Sequence, residues 1–231
     1  MDNSYQPLVS VIIRSIDRPE LKDALRSVAR QIYPNIEVVL VNAKGPGHID
    51  YGAWCGSFPL HIISVGSSLH RSKAANLGLE YAKGDMVVFL DDDDWFLPHH
   101  LQSLVQVLLN NDGVLAAYSS VECVQQNKDG TCEQVFVFNQ PFDRTKLFIE
   151  NYIPIHAILF RRMLIDEGCR FDESLDVYED WDFWIQLARK TDFVFINSIG
   201  AVYRVGAESG FGITGDNVSV KRGLSAFFNN F

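Results

Sequence analysis

The chain has 231 residues, enough to bury a core without disulfide or metal staples. Its 47% hydrophobic and 21% charged residues exclude a disordered or collagen-like chain. Twenty Lys and Arg against 29 Asp and Glu give a formal charge of −9, which argues against nucleic acid as a partner. An anionic small ligand stays open, because one metal ion reverses the local field.

The first half alternates strand and helix patterns. Residues 8–13 form a short apolar run suited to a buried strand. Asp17-Arg18-Pro19-Glu20 reads as a helix start, and Leu21, Ala24, Leu25, Val28 and Ile32 follow at helical spacing. Residues 36–41 predict a second strand. The stretch 42–59, with four glycines and two prolines, predicts a long loop. Residues 60–65 predict a third strand, 74–82 a helix, and 86–90 a fourth strand running into Asp91-Asp92-Asp93-Asp94.

Pro98 opens a further helix with Leu101, Leu104, Val105, Leu108 and Leu109 inward and with His99 and His100 solvated in its first turn. Residues 114–124 and 134–138 predict a hairpin around Asn127-Lys128-Asp129-Gly130. Residues 180–190 predict a helix carrying Trp181 and Trp184, residues 193–196 a short strand, and 206–215 a glycine-rich loop that closes as a lid. The alternation predicts an α/β fold with a mostly parallel sheet and helices on both faces. Ligands of such sheets sit at the carboxyl ends of strands, so Arg14, Ser15, Asp17, Asn42 and Asp91 to Asp94 are the residues to watch.

No apolar run reaches the roughly 18–20 residues of a membrane span, and Met1-Asp2-Asn3-Ser4 carries no basic-then-apolar leader, so a cytoplasmic protein is expected. Cys55, Cys123, Cys132 and Cys169 form no C-x-x-C pair, and free thiols are expected.

Four adjacent aspartates at the end of an apolar strand cannot all stay ionised and unpaired. A divalent cation relieves them. In extended chain Asp91 and Asp93 share one side, and hard oxygen ligands favour Mg²⁺ or Mn²⁺ with positions left for phosphate oxygens. The alternative is a solvated turn whose aspartates cap the next helix.

Three segments resemble family 2 glycosyltransferases: Val9-Ser10-Val11-Ile12-Ile13-Arg14-Ser15-Ile16-Asp17-Arg18-Pro19; Ala74-Ala75-Asn76-Leu77-Gly78-Leu79 with Lys83-Gly84-Asp85 and Phe89-Leu90-Asp91-Asp92-Asp93-Asp94; and Phe171-Asp172-Glu173 with Glu179-Asp180-Trp181-Asp182-Phe183-Trp184. The likeness runs over about residues 8–205. It implies a GT-A, Rossmann-like mixed sheet in one domain over 1–231: a nucleotide-sugar half at 8–94, an acceptor half at 95–205 and a flexible tail at 206–231. It implies an NDP-sugar donor, with UDP as the first candidate, and inverting transfer to a hydroxyl of a glycan or lipid-linked acceptor, with peripheral docking at the inner face of a membrane.

By the same resemblance Asp93, assisted by Asp91, holds the metal. Arg14, Ser15, Asp17, Asn42, Arg71, Asp91 and Asp92 bind the nucleotide sugar, and Asp180 is the general base. Glu179, Trp181 and His156 are weaker acceptor-side candidates. On helix logic alone Asp180 reads as an N-cap, Glu179 as a first-turn acid, Trp181 as core, and His156 as a structural histidine. Two departures from the family pattern stand out: Ile16 where an aromatic residue often stacks on the base, and Asn42 where an aspartate often reads it. The rival readings are a nucleotidyltransferase, which would need a glycine-rich loop after the first strand, and a non-catalytic binder of nucleotide or glycan.

Overall fold

In a computed structural model, residues 6–49, 54–127, 130–175 and 177–205 are described. The predicted 206–215 loop and the tail after it lie outside these residues. The first strand, β1 (Val9–Ser15), is buried throughout, as its unbroken apolar run requires. It feeds α1 (Leu21–Ala29), which buries Leu21, Ala24, Leu25 and Val28. Ile32 falls beyond the helix end and is exposed, so the predicted apolar stripe stops one turn early. The helix start also differs. Glu20 is the N-cap residue and makes no side-chain cap bond, while Asp17 adopts a left-handed backbone at φ 69°.

Next come β2 (Ile36–Asn42), β3 (Leu60–Ile63), α2 (Arg71–Tyr81) and β4 (Met86–Asp91). β1 to β4 are mutually parallel, in the order β3-β2-β1-β4. The chain therefore winds outward from β1 to β3 and then returns to the other side of β1. That reversal opens a crevice at the carboxyl ends of β1 and β4, where such sheets bind ligands. Register places Arg14 opposite Asp91 and Ser15 opposite Asn42.

Gly84 closes the turn into β4 and donates its N–H to Ser10 Oγ at 2.8 Å. A Cβ here would lie 2.7 Å from the Leu8 carbonyl oxygen and 2.6 Å from the Ser10 nitrogen, both backbone atoms that cannot step aside. Gly84→Ala is expected to cost about 1–3 kcal/mol through overpacking, read as a lower denaturant midpoint with unchanged slope.

The second half begins with β5 (Trp95–Phe96) and α3 (His100–Leu109). β6 (Ala116–Gln126) and β7 (Cys132–Phe138) form the predicted hairpin. After α4 (Arg144–Leu147) and a 3₁₀ turn at Ile155–Ala157 come β8 (Ile158–Arg161), α5 (Met163–Asp166), α6 (Glu179–Ala188) and β9 (Phe193–Val205). β8 runs antiparallel to β4 and β6, and β9 runs parallel to β6, so the sheet continues as a mixed one through β4-β8-β6-β9-β5. The short strand predicted at 193–196 is the start of a 13-residue strand whose register shifts opposite Ser119 and Ser120. Asn197-Ser198 interrupts the apolar pattern at that shift, which hides the continuation from the sequence.

One inward and one outward prediction on α3 change sign. Leu109, at its last turn, is 39% exposed, whereas His100, expected in solvent, is fully buried. Its Nε2 meets the His156 carbonyl oxygen at 3.1 Å, its ring lies 4.6 Å from that of Phe96, and burial holds it neutral with a pKa lowered to about 3. No helix among the described residues is long and apolar enough to cross a membrane.

Candidate active site

A cleft of about 240 Å³ opens at the carboxyl ends of β2, β1 and β4. Asp91, Asp92, Asp93, Arg14, Arg18, Arg71 and Tyr203 line its charged part, and Ile16, Ala43, Leu69 and Ala74 its apolar part. The four aspartates turn as the chain leaves β4: the Asp94 N–H donates to the Asp91 carbonyl at 3.2 Å. Asp92 and Asp94 are buried, while Asp91 and Asp93 are half-open. Arg204, late on β9, pins this turn by donating its backbone N–H to Asp94 Oδ1 at 2.8 Å and its Nε to the Asp93 carbonyl at 3.1 Å.

Each aspartate meets a different environment. Arg14 donates from Nη2 and Nε to Asp91 Oδ1 at 2.7 and 3.1 Å. Burial opposes ionisation of Asp91, but Arg14 and then Arg71 outweigh it and draw its carboxyl down to about 2. Asp92 accepts from the Ile16 N–H at 2.9 Å and from Arg18 at 2.5 Å. Among the described residues the cation paired with the Asp93 carboxylate is Arg18, at 3.4 Å and shared with Asp92. Burial, with Asp94 and Asp91 close by, raises its carboxyl to about 7. Asp93 is therefore the aspartate whose ionised form is least well compensated of the three that line the cleft.

Several expected ligand contacts are spent inside the protein. The Arg14 side chain is only 5% exposed, and its remaining Nη1 donates to Glu179 Oε1 at 3.1 Å. Ser15 is fully buried; its hydroxyl accepts from the Asp17 N–H and meets His48 Nε2, both at 2.9 Å. Asp17 is held by Lys44 Nζ at 2.6 Å, and its side chain is 3% exposed. Asn42 folds onto its own loop: Nδ2 donates to the Gly45 carbonyl at 2.9 Å and Oδ1 accepts the Gly45 N–H at 2.8 Å. Ser15, Asp17 and Asn42 brace the cleft wall from outside its lining, while Arg14 lines the cleft with its donors committed to Asp91 and Glu179.

The acceptor-side expectations change too. Glu179 is buried and joins two guanidinium groups, taking Arg14 Nη1 and Arg71 Nε at 3.1 Å each. It ties β1 and α2 to the first turn of α6. Trp181 is 3% exposed, with its indole N–H donated to the Leu147 carbonyl at 2.6 Å, so its ring offers no face to a sugar. His156 is fully buried, with Nδ1 3.1 Å from Asp94 Oδ2. Burial opposes its charge, but the Asp94 carboxylate outweighs that and raises its pKa, so it serves the underside of the aspartate turn. Glu179→Gln removes the shared carboxylate from a buried arginine and is expected to cost about 3 kcal/mol of folding stability, measured by urea unfolding.

Asp180 is not the N-cap of α6. That position is Tyr178, in a left-handed conformation at φ 63°. Asp180 sits one residue inside the helix, half-buried, and its Oδ2 accepts from Asn151 Nδ2 at 3.2 Å. Burial and the neighbouring Glu179 charge raise its carboxyl to about 6, with Arg71 opposing. It does not line the cleft itself, but Glu179 beside it is bound to two arginines that do. Sequence reasoning missed Arg18 as a cleft residue, although it lies in the same loop as Arg14 and Asp17; this basic residue so close after a strand end was the available signal.

Among solved structures the fold is similar to S. aureus TarS 1–349 in complex with UDP-GlcNAc: TM-score 0.67, 17% identity, over 86% of this chain and 58% of that one. It is likewise similar to the mannosyltransferase PcManGT from Pyrobaculum calidifontis in complex with GDP-Man and Mn²⁺: TM-score 0.65, 19% identity, over 89% of this chain and 59% of that one. A parallel half that reverses at β1 and β4, continued by a mixed half, is thus the GT-A glycosyltransferase fold. Residues 10–169 match the model of Glycosyl transferase family 2, and the chain belongs to that family. Among curated relatives, the uncharacterized glycosyltransferase YwdF of Bacillus subtilis is 28% identical over 93% of this chain and 78% of its own length. An uncharacterized glycosyltransferase of Haemophilus influenzae is 27% identical over 80% of this chain and 64% of its own length. The chain spans about three-fifths of the solved chains it resembles.

Proposed function

We propose that the cleft binds an NDP-sugar and that this chain transfers the sugar, with inversion, to an acceptor hydroxyl. The observation that carries this reading is the contrast between the aspartates: Asp91 and Asp92 are each paired closely with an arginine, at 2.7 and 2.5 Å, while Asp93 has only a share of Arg18 at 3.4 Å and lines the cleft. Among the described residues no three His, Cys, Asp or Glu side chains gather to hold a metal. One carboxylate with room beside it suits Mg²⁺ or Mn²⁺, which complete their shells with water and substrate phosphates. A divalent ion here would be held by Asp93, with Asp91 committed to Arg14, and when bound it supplies charge stabilisation for the leaving diphosphate. The similarity to a GDP-Man and Mn²⁺ complex supports the same reading.

The chain's own residues do the rest. Arg71, 42% exposed along its side chain, and Arg18, 43% exposed, present cations to the donor phosphates. Asp180, raised toward neutrality, accepts the proton of the attacking hydroxyl; a base titrating near 6 is ionised at pH 7 and still basic enough to help. The Asn151 amide fixes one of its oxygens. Glu179 locks the α6 turn to the donor wall, so donor and base are held by one ion-pair lattice. A glycan or lipid-linked acceptor and docking at a membrane face belong to this proposal.

The test is release of nucleoside diphosphate from a panel of NDP-sugars with Mn²⁺ or EDTA. Metal-dependent release from at least one donor supports the reading. Binding of nucleotide with no release from any donor favours the non-catalytic binder.

A further inference from the structure

The cleft spans the ends of β2, β1 and β4, two strand spacings or about 10 Å. Charge concentrates at the β4 end, which suits a diphosphate. The β2 end is walled by Ile16, Ala43 and Leu69, which suits the flat face of a nucleotide base. What reads the edge of that base is a question of hydrogen-bonding groups left over at this end.

Among the described residues, the polar groups of Asn42 and Lys44 and the backbone beside them are already committed. Both the amide nitrogen and the oxygen of Asn42 bond Gly45, and Nδ2 also reaches Ser64 Oγ at 3.3 Å. Lys44 Nζ is held by Asp17 Oδ2 at 2.6 Å and by the Gly47 carbonyl at 3.3 Å. The backbone is committed as well: the Ala43 N–H donates to the Ser15 carbonyl at 2.7 Å, the Ala43 carbonyl accepts from Leu69 at 2.9 Å, and the Ile16 N–H donates to Asp92. Nor does the loop have slack. Gly45 sits at φ +91°, and the position a Cβ would take lies 2.8 Å from the backbone of Ser67 and Ser68. Releasing Asn42 would break a packed turn.

From this we infer that the site holds the nucleotide base by shape without reading its hydrogen-bonding edge, so that it takes nucleoside diphosphates of different bases. The inference rests on the donor-site reading above and deepens it. A site built to hydrogen-bond its substrate rejects analogues by about 10⁴–10⁵-fold, and apolar walls discriminate far less.

Calorimetric titration of the full chain in Mn²⁺ with UDP, CDP, TDP, GDP and ADP, and with inorganic pyrophosphate as a baseless probe, tests this. The five nucleotides are expected to bind within about tenfold of one another and more tightly than pyrophosphate. Preference for one base by more than about tenfold overturns the inference while leaving the donor site standing. Binding of none of the five overturns the donor site and the inference with it. In Asn42→Ala the five affinities are expected to shift by a shared factor, because Asn42 shapes the wall; a change in their ratios shows that Asn42 reads the base and overturns the inference.

Discussion

Asp180→Asn is expected to lower sugar transfer by roughly 10²–10⁴-fold while leaving nucleotide affinity close to that of the unchanged protein and raising the unfolding temperature at neutral pH. Asparagine keeps the shape and can still accept from the Asn151 amide, but it takes no proton. The folded state favours the substitution, because burial and the Glu179 charge already work against the ionised carboxylate. The pH profile of the unchanged enzyme carries the same signature: the rate falls as pH drops through about 6, where Asp180 takes up its proton. Steady-state kinetics with the best donor of the panel, beside calorimetric nucleotide binding, separates loss of the base from loss of the site. Equal loss of binding and turnover would assign Asp180 to the fold.

Asp93→Asn is expected to act on the other half of the chemistry. Removing the least compensated carboxylate of the cleft should weaken Mn²⁺-dependent nucleotide binding about a hundredfold, the scale of losing one partner of a desolvated charge pair. Without metal the same substitution should raise the unfolding temperature at pH 8. The sign follows from the raised carboxyl, near 7 in the folded chain against the usual carboxylate value unfolded. Folding is penalised increasingly as pH rises between those two values, and fully above 7. The stabilisation should therefore be largest above pH 7 and fade toward pH 4. A metal-free protein destabilised by Asp93→Asn at pH 8 would mean that Arg18 outweighs the neighbouring acids.

Much of this architecture is visible in the residues because it is local. The apolar runs that become β1, β2 and β4 are buried on both faces and need no partner to be recognised, and the Asp91 to Asp94 turn follows from where β4 stops. Other elements depend on partners distant in the chain. β8 is four residues long and is a strand only because β4 and β6 flank it. β5 is two residues held by β9. The site divides the same way. Asp93 and Arg71 are legible as a carboxylate and a cation at strand and helix ends. The role of Glu179 is not, since its partner Arg14 is 165 positions away. Asn42 and Ser15 look like ligand groups in the sequence because nothing there shows that Gly45 and His48 have claimed them. His156 reads as a structural histidine from its apolar neighbours and is buried, but its partners Asp94 and His100 are distant in the chain and not legible there.

The most direct test is a crystal of the protein with a nucleoside diphosphate and Mn²⁺, with the metal located by its anomalous scattering. The account places the Mn²⁺ peak against the Asp93 carboxylate and the diphosphate, with the Asp91–Arg14 pair intact and the Asp180 carboxylate open to the space beside the diphosphate. A metal bound away from Asp93, or Asp180 walled off from the nucleotide, would contradict it.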